Sequence, residues 1–208
     1  MKMKSFQYSG RNFSGIFNYL KTHDKSSIIM TTDGDISGIL TDFLFKPYES
    51  NAMIDVNEKL NPPAPHFIID FSKYKAYIIN YQMQTIAGAT PPVDWNITGS
   101  NDNKTWYLLD EKMNQDEYMC ERNPNYVHQC KNRGTTIYTM NNQIGPFRFL
   151  KFTCKRNRVN NLDIRIGGFE LYGSIIPLNG FMVAKQTKCV DKNGHFSLSV
   201  YVVLIYHI

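Results

Sequence analysis

Between Tyr77 and Gln84 the chain alternates residue by residue, with Tyr77, Ile79, Tyr81 and Met83 on one side and Ile78, Asn80, Gln82 and Gln84 on the other. A side-chain period of two belongs to the β-strand, so the stretch predicts a strand with one core face and one wet face. Similar short runs recur along the chain, set between turn residues. Ile28–Thr31 runs up to the turn signal Asp33-Gly34-Asp35, and Phe67–Phe71 is followed by a turn at Lys73-Tyr74-Lys75. Trp95–Thr98 and Trp106–Asp110 flank Gly99–Lys104, the pattern of a hairpin. Thr135–Met140, Phe147–Thr153 and Ile164–Tyr172 complete the set, the last ended by Gly173. Phe147–Thr153 is apolar on both faces, as a central strand requires. One helical spacing stands apart, Phe13, Ile16, Phe17 and Leu20, closed by His23-Asp24. Many short strands and a single short helix predict an all-β sandwich or barrel.

Composition agrees. The 13 Tyr and 13 Phe favour pleated, half-buried positions. With 42% hydrophobic and 20% charged residues, the 208-residue chain falls outside the disordered class and is long enough to bury a core unaided. The net charge of +5 is spread thinly apart from Lys151, Lys155, Arg156, Arg158 and Arg165. That lacks the dense, aromatic-interleaved stripe of a nucleic-acid binder, so no nucleic acid is expected as a partner.

Regular periodicity is lost from Ile36 to Pro65, where Pro47, Asn51, Asn57 and the Pro62-Pro63-Ala64-Pro65 run predict long loops. Ordered long loops tend to carry function. Glu111–Gly134 reads as a polar insert holding Cys120, His128 and Cys130. Their C-x7-H-x-C spacing lacks the tight cysteine pair and fourth ligand of a structural zinc site. It reads instead as a loop with two free thiols, or with one disulfide in an exported chain. Four cysteines are too few and scattered for a disulfide scaffold. Met1–Tyr8 has positive charge but no apolar segment behind it, so the expectation is a cytoplasmic chain, or an extracellular one if the N-terminus is incomplete. Beyond Ser174, a polar stretch to Gly194 precedes the apolar, β-branched Phe196–Ile208. The latter is too short to span a bilayer and fits an added strand, an intermolecular edge or an artefact of the gene model.

None of the histidines (His23, His66, His128, His195, His207) lies in a nucleophile motif, and the acid pairs Asp33/Asp35 and Asp110/Glu111 sit at turns. No catalytic residue is assigned, and a binding module is expected in place of an enzyme.

Three segments carry a family likeness. His66-Phe67-Ile68-Ile69-Asp70-Phe71 is a strand ending in Asp before a hydrophobic residue. Trp95–Trp106 is an aromatic strand, a Ser-Asn-Asp turn and a tryptophan. Phe147–Phe152 pairs with Gly168–Gly173 as closing strands. In this order, over Phe13–Ser174, they resemble the coagulation factor 5/8 type C, or discoidin, family, and the N-terminal helix is similar to those of protozoan members. The resemblance implies a galactose-binding-like jelly-roll β-sandwich with a short N-terminal helix over residues 13–174, an extension at 1–12 and a tail at 175–208. Asn101-Asp102-Asn103 suits its tight turn, and Trp95 and Trp106 are expected to fill the space between the sheets. The cysteine pair that closes many extracellular members has no counterpart near Phe13 or Gly173.

The resemblance further implies a glycan or protein ligand held by loops at one end of the sandwich, here Asp33–Leu44, Phe45–Asn57 and Ala87–Asp94. Tyr48, Glu49, Asn51 and Arg158 are the candidate sugar contacts, an aromatic face with polar side chains. Asp33, Asp35 and Glu170 are the candidate ligands of a structural calcium. The alternative is a membrane-surface binder using Leu44, Phe45 and Met53 as apolar spikes; a glycan-acting enzyme comes after it.

Overall fold

The computed structural model describes residues 3–32, 35–37, 39–47, 53–55, 64–116, 120–160, 163–178, 181–190 and 196–205. One sheet contains β1 (Lys4–Phe6), β3 (Asp35–Ser37), β4 (Met53–Asp55), β6 (Tyr74–Thr85), β9 (Thr135–Thr139) and β11 (Ile164–Pro177). Its order is β3-β4-β11-β6-β9, with β1 also paired to β11. The other runs β2 (Ile29–Thr32), β5 (His66–Asp70), β10 (Phe149–Asn157), β7 (Pro92–Ser100) and β8 (Tyr107–Lys112). Two short helices, α1 (Ile16–His23) and α2 (Asp42–Phe45), pack on β11. Antiparallel pairing throughout both sheets makes the jelly-roll sandwich that the alternating runs predict.

The core is aromatic. Phe67 and Phe152 from β5 and β10 stack at 5.1 Å, and Phe169 of β11 meets Phe67 edge-on at 5.7 Å, joining the two sheets. Trp95 is fully buried beside them. Trp106 departs from expectation. It lies half-buried just before β8, with the Lys151 ammonium 4.2 Å from its ring centre, outside the core.

The alternation in β6 also breaks once. Gly173 pairs with Ile78 and Tyr172 with Asn80, leaving Ile79 as the extra residue of a bulge. Every inward position upstream therefore shifts by one. Ile78 is buried with Tyr81 and Met83, while Ile79 turns to solvent. Gly173 takes a φ of +149°, and a Cβ there would lie 2.0 Å from the Tyr77 carbonyl oxygen. The glycine thus serves the bulge and does not end the strand, which continues through buried Ile175 and Ile176. The turn at Lys73-Tyr74-Lys75 falls earlier, at Ser72–Lys73. After Pro177 the chain forms a hairpin of β12 (Phe181–Val190) and β13 (Phe196–Ile205), the second of them within the apolar segment. Lys4–Phe6, ahead of the segment that resembles the family, adds β1 to β11.

Between its pairings with β4 and β1, one edge of β11 is met by the start of α1. Gly15 lies against it so closely that a Cβ would be 2.1 Å from the Leu171 carbonyl oxygen. Ile16, Phe17 and Leu20 are all fully buried on α1, as the spacing predicts, whereas Phe13 lies ahead of the helix at a φ of +51°.

Candidate functional site

Antiparallel order brings the ends of β6, β8 and β10 together, so the loop residues 86–91, 113–116, 120–134 and 158–160 share one end of the sandwich. Two guanidinium groups organise this end. Arg156 grips Asp94 with two bonds of 2.6 and 3.0 Å and reaches the Asn114 side chain at 3.0 Å. The Asn114 amide donates to Asp94 at 2.7 Å. Burial pushes the Asp94 carboxyl up, but the Arg156 fork and this amide outweigh it and hold the group below the usual carboxylate range. Arg158, with only 1% of its side chain exposed, pairs through Nε with Asp116, donates from Nη2 to the Asp116 carbonyl at 2.8 Å and touches Cys120 Sγ at 3.6 Å.

Cys120 and Cys130 form a disulfide. Cys130 is fully buried, and its backbone exchanges bonds with Ala89 (2.9 Å) and Gly88 (2.8 Å) of the neighbouring loop. Between the cysteines, turns at Asn123–Gln129 project a tip whose Tyr126 is 64% and Val127 51% exposed, with His128 beside them in solvent. The guanidinium groups and disulfide are spent on bracing. What the tip offers a ligand is an aromatic face, an aliphatic group and an imidazole, which suits stacking and hydrogen bonding.

Of the predicted sugar contacts, Tyr48, Glu49 and Asn51 lie outside the described residues. Arg158 is at the loop end, buried as a brace. Of the predicted calcium ligands, Asp33 is likewise outside, and Asp35 is described only by its backbone, which pairs with Asp55 across β3 and β4. Glu170 sits fully buried under α1. Its Oε1 accepts from the amides of Phe17 (2.8 Å) and Leu171 (2.9 Å), and its Oε2 from Asn18 (3.1 Å). Burial pushes its carboxyl up to about 7, and the amides pull the other way. An anion so committed to amides fits a helix cap and does not fit a cation ligand. Among the described residues no group of three or more His, Cys, Asp or Glu gathers for a metal. Leu44 and Phe45, expected as apolar spikes, are instead buried by α2 against β11. The side chain of Met53 lies outside the described residues. Sequence reading passed over Tyr126 and Val127, although two cysteines bracketing an apolar pair within a polar insert signal a clamped, presented tip.

These features define a discoidin-like, galactose-binding-like β-sandwich with a braced loop end. Solved structures share this fold. The carbohydrate-binding module CBM32-3 of a family 31 glycoside hydrolase from Clostridium perfringens superposes with a TM-score of 0.50 at 17% identity, over 72% of this chain and 93% of that one. CpGH89CBM32-5 from Clostridium perfringens, solved in complex with GalNAc-β-1,3-galactose, does so with a TM-score of 0.50 at 7% identity, over 71% and 96%. No family model and no curated protein matches the sequence.

Proposed function

We propose that this chain is a non-catalytic glycan-binding module whose ligand docks on the loop end around Tyr126. The observation that carries the reading is the exposed Tyr126–Val127–His128 tip on an insert clamped by a disulfide and by Arg158. A pre-organised aromatic tip loses little entropy on meeting a sugar ring, which is how a small contact gains affinity. The glycan complex of CpGH89CBM32-5, a protein of the same fold, supports the ligand class. Disulfides persist in oxidising compartments, so the Cys120–Cys130 bond supports an exported chain over a cytoplasmic one.

The test is a glycan array with the full chain and with Tyr126→Ala, run with calcium and with chelator. Binding by the parent and its loss in the variant is the expected result. Loss on chelation would restore calcium, with Asp33 and Asp35 as the acids to examine. A folded chain that binds no glycan would overturn the reading and pass it to a protein partner.

A further inference from the structure

Away from the loop end, a cleft of roughly 540 Å³ opens between the N-terminal segment, α1 and α2. Its volume lies within the roughly 300–1,000 Å³ typical of small-molecule pockets. The fold goes to some length to build it. Gln82, buried on the outer side of β6, accepts from the Phe13 amide at 2.8 Å and donates to Asn12 Oδ1 at 2.7 Å. The Tyr172 hydroxyl donates to Gln82 Oε1 at 3.0 Å, fixing the side chain from the other side. Phe13 is thereby held at a φ of +51°, a left-handed conformation that costs a non-glycine residue about 1–2 kcal/mol. Its ring meets Pro47 over Gly168, where a Cβ would lie 2.7 Å from both. Phe13, Pro47, Leu44 and Phe45 give the cleft an apolar floor.

Its polar lining is cationic. Arg11 and Lys21 stand at the cleft, both exposed, and neither has an ion-pair partner among the described residues. Lys21 lies three residues after Asn18, on the same face of α1. The Asn18 side chain and Asn12 Nδ2 also have no hydrogen-bond partner among the described residues. The acid in the wall, Glu170, is already answered by the amides of α1 and β11. The cleft is therefore left with positive charge, amide groups and an apolar floor.

We propose that this cleft is a second binding site, for an anion-bearing sugar ring: the ring's apolar face lies on Pro47, hydroxyls meet Asn12 and Asn18, and the carboxylate or sulfate meets Arg11 and Lys21. The inference rests on the glycan-binding reading, but assigns a different ligand to a different place. Two cations flanking an apolar surface select against a neutral sugar, because their attraction is spent only on a charged one.

The experiment is amide NMR titration of the full chain with methyl β-glucuronide, N-acetylneuraminic acid, galactose 6-sulfate, neutral methyl β-galactoside and inorganic sulfate. The parent, Tyr126→Ala and the double variant Arg11→Gln/Lys21→Gln are compared. The expected result is that an anionic sugar shifts amides around Asn12, Asn18 and Lys21 and weakens at least about tenfold in the double variant, equivalent to about 1.4 kcal/mol. Tyr126→Ala leaves that binding unchanged, and the carboxylate and sulfate arms identify the anion. An anionic sugar that shifts only the 120–130 insert, and is lost in Tyr126→Ala alone, overturns this site while the glycan reading stands. Inorganic sulfate shifting the same amides equally well also overturns it, since then the charge binds without the ring. Absence of shifts with every sugar overturns both readings.

Discussion

The indole N–H of Trp95 donates to the Tyr81 hydroxyl at 2.9 Å, tying two fully buried rings from opposite sheets. The hydroxyl passes the interaction on, donating at 2.7 Å to Asp110, whose carboxylate also takes the Lys112 ammonium at 2.7 Å and the Asn141 amide at 3.2 Å. Burial, then the neighbouring Asp110 charge, raise the Tyr81 pKa far above its ordinary value, so the hydroxyl stays a donor throughout the working range. Tyr81→Phe keeps the ring but leaves an indole N–H and a carboxylate lobe unpaired in the core. The expected loss is about 1–3 kcal/mol, read from urea unfolding at unchanged m-value. A neutral result would mean that water takes the place of the hydroxyl.

Glu170 predicts a pH dependence. Its carboxyl titrates at about 7 when folded, against 4.5 for the ordinary group, because burial dominates the helix amides. Between these values the folded chain holds a proton that the unfolded chain releases, so stability falls as pH rises through the window. The full effect, reached above the folded pKa, is on the order of 3 kcal/mol. Glu170→Gln keeps a carbonyl acceptor for α1 and cannot titrate. The stability difference between parent and variant should therefore shift against the parent from about pH 5 to about pH 8. A difference that stays flat would place the folded pKa near its ordinary value.

How much of this was legible in the sequence follows from which interactions are local. Period two and turn residues marked the strands, and Asn103 takes the left-handed φ of +59° that the Asn-Asp-Asn turn suggests. Trp95 was legible as core because it sits mid-strand. Trp106 was not, because whether a residue at the mouth of a hairpin turns inward depends on the bulge between Ile97 and Thr98 and on Lys151 from β10. The Ile79 bulge likewise depends on Gly173, nearly a hundred residues away in sequence, and no local pattern reveals it. The same holds at the sites. Arg158 and Glu170 are polar residues that look available in a sequence. Only the fold shows Asp116 and the start of α1 already holding them.

Gly15 tests the docking of α1. A Cβ there would meet the Leu171 carbonyl oxygen at 2.1 Å and the Glu170 carboxyl at 3.0 Å. Gly15→Ala must push α1 off the edge of β11. The expected cost is about 1–3 kcal/mol, with faster exchange of the Phe17 and Asn18 amides as the local signature. A shift in those amides without loss of stability would mean that the helix finds a second seat.

Arg158 separates bracing from ligand contact. Its guanidinium bonds both the carboxylate and the carbonyl of Asp116 and lies against the disulfide, a forked arrangement that one lysine ammonium cannot reproduce. Arg158→Lys should therefore leave the Asp116 carbonyl unsatisfied and cost about 1–3 kcal/mol in stability. If Arg158 acts as a brace, glycan affinity falls together with stability because the Tyr126 tip loses its position. Asp116→Asn, which weakens the same grip from the other partner, should then reproduce both losses, each followed by thermal unfolding and by titration. If Arg158 instead touched the sugar, Arg158→Lys would lower affinity while Asp116→Asn left it intact. With only 1% of the Arg158 side chain open to solvent, the paired loss is the outcome the geometry requires.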